Sequence, residues 1–241
     1  MFFILMILLT FFASLIGVTV GFGLSTIMIP VLVIFYPFTQ VLLLVGVIHW
    51  FSNIWKIAFF KHGIDWSLIL SFGIPGVIAA ILGARLAFIE SQAILSRTLG
   101  IFLIIYVIFL LLNPTFQIKK QYGIAIIGGG ISGFLAGIFG FRGAIRSSFL
   151  STFNLPKAVF IATGAVIALS IDTARLITYW IEGHQLEIVP LWVLGILIGV
   201  SWTGSFSARY IVKYIPQEKF RFVVVLFLLI MSIKLIVFPS A

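Results

Sequence analysis

The sequence predicts an all-α membrane protein: a polytopic helical bundle of about eight transmembrane segments in two repeats, the first segment of each repeat broken at glycines. Three observations predict it. The 241 residues are 62% hydrophobic and 9% charged, with a mean hydropathy of +1.29, whereas a soluble domain carries about 25% charged residues. The apolar residues fall in continuous runs, not in the roughly ten-residue alternation of a transmembrane barrel. Two of these runs are too long for one crossing, and each holds a glycine-rich interruption.

A transmembrane helix takes about 20 apolar residues. Divided at charged and turn-forming residues, the runs are Phe2–Tyr36, Val41–Phe60, Leu68–Phe88, Ile94–Leu112, Gly123–Phe153, Ala158–Ile181, Ile188–Tyr210 and Phe222–Val237. They leave no room for a soluble domain. Met1-Phe2-Phe3-Ile4 lacks a basic n-region and a prompt small-residue cleavage site, so it reads as a first membrane segment rather than a removed signal peptide. The net charge of +9 marks cytoplasmic loops or attracts anions and is not a nucleic-acid footprint. Zero cysteines remove disulfides, thiolate catalysis and Cys-ligated metals together.

The interruptions are Gly21-Phe22-Gly23 in the first long run and Gly140-Phe141-Arg142-Gly143 in the fifth. Glycine weakens a helix by about 1 kcal/mol relative to alanine, so each run is expected to break into a full helix and a half-helix, the latter starting near Ser25 and Ala144. An offset of 119 places Gly21-Phe22 on Gly140-Phe141, Asn53 on Asp172 and Lys56 on Arg175. With a small slip, Ala84-Arg85 matches Ala208-Arg209 and Arg97 matches Arg221. The expected organisation is a first repeat over 1–112, a connecting loop over 113–122 and a second repeat over 123–241. Transporters are commonly built this way, with the site near the midplane between repeats. Four crossings per half make the repeats parallel; re-entrant hairpins at the breaks make them inverted. Counting basic residues in the loops leaves both open.

Polar residues inside apolar runs are the candidates for function, since an ionisable group at the bilayer centre costs about 2.5–3.5 kcal/mol on insertion scales. Asp172 and Arg175 are three apart, share a helix face and neutralise each other. Asn53 and Lys56 repeat the spacing without the carboxylate, which leaves Lys56 as a cation for an anion site. The bland alternatives are that Lys56 snorkels to the headgroups and that Asp172–Arg175 is a structural clamp. Half-helix N-termini at the breaks would offer N–H groups and a positive dipole end to an anion, with Ser25 and Thr26 as caps and Arg142 and Arg146 beside the second break. The expected substrate-binding set is therefore Lys56, Arg175, Asn53, Asp172, Ser25, Gly21, Gly23, Gly140, Arg142 and Gly143, with Asp172 and His49 for proton coupling. Gly129, Gly133 and Gly137 form a small-residue ridge and read as helix packing. Such ridges pack helices within one chain as well as between chains, which leaves a homo-oligomer open. Trp50, Trp66, Trp192 and Tyr210 fit interfacial belts as readily as a ligand cage, and Pro75 a kink.

The sequence has no G-x-x-x-x-G-K-[ST] loop, no H-E-x-x-H helix and no G-x-S-x-G elbow, and three histidines with six carboxylates offer little for a metal or an acid–base pair. The expectation is no enzyme, no cofactor and no metal. A secondary transporter with a small anionic substrate is expected, embedded in a lipid bilayer; the alternative is a non-transporting membrane scaffold or accessory subunit.

Pro30 follows the first break, and Ser52-Asn53-Ile54-Trp55-Lys56 and Gly63-Ile64-Asp65-Trp66 come after it. The second half offers Gly133-Phe134-Leu135-Ala136-Gly137-Ile138-Phe139-Gly140, then Asp172 with Arg175 and Tyr179. Over nearly the whole chain this resembles the sulfite exporter TauE/SafE family of membrane permeases. The resemblance implies export of a small anion such as sulfite, a sulfonate or another small organic anion across the bacterial inner membrane. The family usually shows a run of glycines at both breaks. Here Leu24 and Ser25 interrupt the first and Arg142 sits inside the second, which implies a different anion or a plugged site.

Overall fold

The computed structural model describes residues 2–20, 23–60, 63–112, 121–211 and 217–239, and all regular structure in them is helical. The helices are α1 (Phe2–Val20), α2 (Ser25–Leu32), α3 (Phe38–Phe59), α4 (Trp66–Leu68), α5 (Ile74–Ile89), α6 (Gln92–Leu112), α7 (Tyr122–Phe139), α8 (Gly143–Ser151), α9 (Lys157–Ile181), α10 (Leu191–Ile211) and α11 (Gln217–Val237). A π-helical turn over Ile69–Gly73 fuses α4 and α5 into one span, Trp66–Ile89. Pro75 follows that turn; it has no N–H to return to the preceding turn, and a π turn absorbs the mismatch. Six described helices are long and apolar enough to cross a membrane, and Phe3–Val18 and Val225–Val237 are shorter apolar stretches.

Both long runs break at their glycines. The Gly140 N–H closes α7 on the Ala136 carbonyl, and Gly140 takes φ +66°, a left-handed conformation that suits glycine. The rings of Tyr122 and Phe153, at opposite ends of α7–α8, lie 5.7 Å apart, so the two helices form a hairpin. In the first half Gly23 (φ +81°) bonds back to the Gly17 carbonyl at 3.1 Å, and α2 returns along α1. Gly21 lies outside the described residues, as does most of the expected connecting loop, 113–120. The second half-helix starts at Gly143, one residue before the expected position. Neither Ser25 nor Thr26 caps α2: Leu24 holds the N-cap position without a side-chain bond, because backbone bonding to α1 makes the reversal. The long helices that follow start alike, after Pro37 (φ −54°, ψ 137°) and Pro156 (φ −51°, ψ 141°).

Helix directions follow from named contacts. Gln40, at the start of α3, bonds with Gln185 O and Glu187 N beyond the end of α9. The Asp65 N–H, beyond the end of α3, donates to Thr163 near the start of α9. The two helices are antiparallel. Phe3 meets Trp192, and a Cβ on Gly204 would lie 2.6 Å from the Phe11 carbonyl and 2.8 Å from Ser14, so α1 and α10 run parallel. On α7, a Cβ at Gly129, Gly133 or Gly137 would strike the Phe72, Gly76 or Ala80 carbonyl, so this ridge seats the backbone of α7 directly on that of Trp66–Ile89, also in parallel. The ends Phe59, Trp66, Leu112, Tyr122, Ser151, Lys157, Ile211 and Gln217 therefore share one face, called here the linker face. Ile89, Gln92, Ile181 and Leu191 share the other.

Leu24, Met28, Ile29, Leu42, Leu44 and Phe141 fill the centre, where the hairpins meet α3. Ile78, Leu82, Ile105 and Leu191 stand exposed on the outside. Apolar side chains turned out and ions turned in is the arrangement a lipid solvent favours.

Candidate functional site

The site forms where α3 crosses α9. Each helix is apolar around a short polar stripe, and turning the two stripes together keeps them out of lipid. Asp172 is fully buried and accepts on both oxygens. Oδ1 takes the Arg175 Nε–H at 2.8 Å. Oδ2 takes Asn53 Nδ2 at 3.0 Å, His49 Nδ1 at 2.8 Å and the Arg142 guanidinium. A carboxylate with this many donors is saturated, and charge-assisted bonds make the assembly stiff. Arg142 also donates to the Ala168 carbonyl at 3.2 Å, which fixes the start of α8 against α9.

His49 Nδ1 also lies 3.0 Å from Arg142 Nη2 and 3.2 Å from Asn53 Nδ2; in the tautomer that donates to Asp172, Nδ1 carries the proton. Nε2 is then an acceptor, buried without a partner, and it points at the first break: a Cβ on Gly23 would sit 2.7 Å from it. The second break sends Arg142 to the other side of the same His49–Asp172 contact. The two breaks thus flank one central pair.

Lys56 is 5% exposed and donates to Asn53 Oδ1 at 3.2 Å, so it does not snorkel to the headgroups. It stands one turn toward the linker face from Asn53. Arg175 stands one turn from Asp172 toward the opposite face, over the Tyr179 ring at 5.9 Å; a Cβ on Gly46 would come within 3.0 Å of its Nη2. Because the helices are antiparallel, the two cations lie on opposite sides of the Asn53–Asp172 contact and do not converge on one ligand. Gly140 packs against Arg175 and Ile29, and Gly143 opens α8. The Ser25 hydroxyl is buried and unpartnered. Trp50 belongs to neither belt nor cage, since its indole donates to Thr173 at 2.8 Å. Trp66, Trp192 and Tyr210 are exposed at helix ends.

Sequence reasoning did not place Arg146 in the site. It is 5% exposed, starts one turn after Arg142, and lines a cleft with Lys56. Its position four residues from Arg142 was the available signal. Four buried cations, Lys56, Arg142, Arg146 and Arg175, stand around one buried carboxylate among the described residues. Such an excess of positive charge in low dielectric is suited to holding an anion.

No curated protein and no solved structure matches the chain. A family model, Sulfite exporter TauE/SafE, matches residues 6–235, which takes in both glycine breaks and the whole buried ionic cluster. With its apolar helices the chain is an integral, multi-pass membrane protein of transporter type, and it belongs to the sulfite exporter TauE/SafE family.

Proposed function

We propose that the chain is a secondary transporter that exports a small anion such as sulfite, a sulfonate or another small organic anion across the bacterial inner membrane. It works by alternating access between two inverted repeats, 1–112 and 123–241, joined by 113–122, each with a re-entrant hairpin and three net crossings. The observation that carries the anionic substrate is the four buried cations around the single carboxylate Asp172. The substrate takes the place of that carboxylate among Arg142, Arg175, Asn53 and His49, with Lys56 on the linker-face side. Ser25 and the backbones of Gly23, Gly140 and Gly143 border its path. Asp172 takes up a proton, relayed through His49, when it yields its donors to the anion.

The inverted arrangement is supported by the hairpins and by the helix pairing: α1 lies on α10 and α7 on α5, each pair joining the two halves. It also explains the charge distribution. The segments that join or open helices at the linker face contain, in sequence, Lys61, Lys119, Lys120, Lys157, Arg209, Lys213, Lys219 and Arg221, against Arg85, Arg97 and Lys234 toward the other. The positive-inside rule puts the linker face in the cytoplasm.

The test is anion flux in proteoliposomes of the purified chain, with sulfite, a sulfonate and a small carboxylate as candidates. Flux of one of them, abolished in Lys56→Ala and Arg175→Ala with protein yield intact, is the expected result. Absence of flux for every candidate, or full flux in both variants, overturns the reading.

A further inference from the structure

Beyond the end of α9, residues 182–187 lie across the first half like a strap. The turn into them is set locally. The Gly183 N–H donates to the Trp180 carbonyl and the His184 N–H to the Tyr179 carbonyl, both at 3.0 Å, with Gly183 at φ +83°, the left-handed helix closure that suits glycine. This closure lays the His184 ring on Phe88 of α5, centroids 3.6 Å apart. Gln40 of α3 holds the continuation, donating to the Gln185 carbonyl at 3.0 Å and accepting from the Glu187 N–H at 2.9 Å. Arg85 meets Glu182 at 3.4 Å in the open.

Beneath the strap a column of side chains leads to the ionic cluster. Phe88 meets Tyr179 edge-on at 4.8 Å. The Arg175 guanidinium lies over the Tyr179 ring at 5.9 Å and bonds to Asp172. The seven residues from Asp172 to Tyr179 span about 10 Å of helix. Arg175 and Tyr179 are fully buried, whereas Phe88 and His184 are half-buried. The Phe88–His184 stack therefore stands between the buried column and the face opposite the linker face. Its supporting contacts are separable: an exposed ion pair contributes little, and the Gln40 bonds exchange for water at small net cost. The backbone-to-backbone seat of α7 on the Trp66–Ile89 span has no such freedom.

We infer that 182–187 is the gate of the transport path on the face opposite the linker face, with Phe88 and His184 as its latch. The strap turns about Gly183, parts His184 from Phe88, frees Phe88 to leave Tyr179, and so opens Arg175 to that face. This gate rests on the transporter reading for its purpose.

Two measurements on the full chain test it, and the first does not depend on transport. Leu42 is fully buried, and a Cβ on Gly140 would lie 3.1 Å from it and 3.2 Å from Arg175. The chain has no cysteine, so Leu42→Cys sets a single thiol beside the column. An anionic, membrane-impermeant methanethiosulfonate applied from the strap side should find this thiol protected in the otherwise native chain. The protection should be lost when Phe88→Ala or Gly183→Val is added. Valine at φ +83° strains the turn, while its Cβ meets nothing within 4 Å, so Gly183→Val loosens the strap without emptying the core and guards against a folding defect in Phe88→Ala. Equal labelling in all three chains overturns the gate. In the second measurement, Phe88→Cys/His184→Cys is bridged with a short bismaleimide in proteoliposomes. Sulfite flux should fall to background in the bridged chain and persist in the same chain capped with a monofunctional maleimide. Undiminished flux after bridging, or equal loss in both, overturns the gate and leaves the transporter reading standing. No sulfite, sulfonate or carboxylate flux in the unaltered chain, with the labelling difference present, overturns the transporter reading and leaves the strap as the cover over Arg175.

Discussion

Asn53 and Asp172 stand 119 residues apart in the sequence and touch at 3.0 Å where α3 crosses α9. The offset of 119 that aligns the two glycine breaks also aligns these two residues, and one carries an amide where the other carries a carboxylate. Asn53 donates to Asp172 and accepts from Lys56, so it links the two charged turns without adding charge. Asn53→Asp would give Lys56 an in-helix carboxylate and face Asp172 with a like charge. The expected outcome is loss of anion flux in proteoliposomes with the helical content by circular dichroism unchanged.

Asp172→Asn keeps the shape and removes the charge that holds Arg142 and Arg175. Breaking a buried pair by deleting one partner costs about 3–5 kcal/mol, because the remaining charge is stranded. Denaturant melts of the detergent-solubilised chain should show a loss of this order, and Arg142→Gln in the same background should recover part of it. The exposed pair Arg85–Glu182, at 3.4 Å with side chains 61% and 43% exposed, sets the contrast. Glu182→Gln should shift stability by about 0.5 kcal/mol or less.

Two glycines of α7 separate packing from propensity. A Cβ on Gly133 would strike the Gly76 carbonyl, whereas a Cβ on Gly130 meets nothing within 4 Å. Gly133→Ala therefore has to push α7 off the Trp66–Ile89 span and should lower the melting temperature. Gly130→Ala keeps every contact and gains up to about 1 kcal/mol of helix propensity, so its melting temperature should hold or rise.

Ions in an apolar run are conspicuous, and for that reason Asp172, Arg175 and Lys56 are legible in the sequence, as are the breaks at Gly23 and Gly140. What the spacing of Lys56 and Arg175 does not carry is direction. Equal positions on antiparallel helices point to opposite faces, so the two cations flank the Asn53–Asp172 contact instead of meeting. Arg142 sits in a break whose glycines announce it, yet its partner depends on how far a long side chain reaches across the hairpin, which is a tertiary matter. Leu24 at the α2 N-cap escapes sequence reasoning for a similar reason: Gly23 bonding back to Gly17 replaces the side-chain cap that a solvent-exposed helix start would need. Pro37 and Pro156 also obey the offset of 119, a local signal that marks the start of both central helices.

The hairpins at the two breaks turn the choice between parallel and inverted repeats into a measurement. If each break reverses the chain, α3, α5 and α6 supply the net crossings of the first half, so Gln121 and Gln185 lie on opposite faces. If the broken runs crossed outright, the two residues would share a face. The chain has no cysteine, so Gln121→Cys and Gln185→Cys each provide a single thiol in an unaltered background. Both positions are exposed. In inside-out and right-side-out vesicles treated with a membrane-impermeant maleimide, the two variants should label from opposite sides, Gln121→Cys from the cytoplasm. Labelling of both from one side would require the parallel arrangement and would overturn the inverted repeats proposed above.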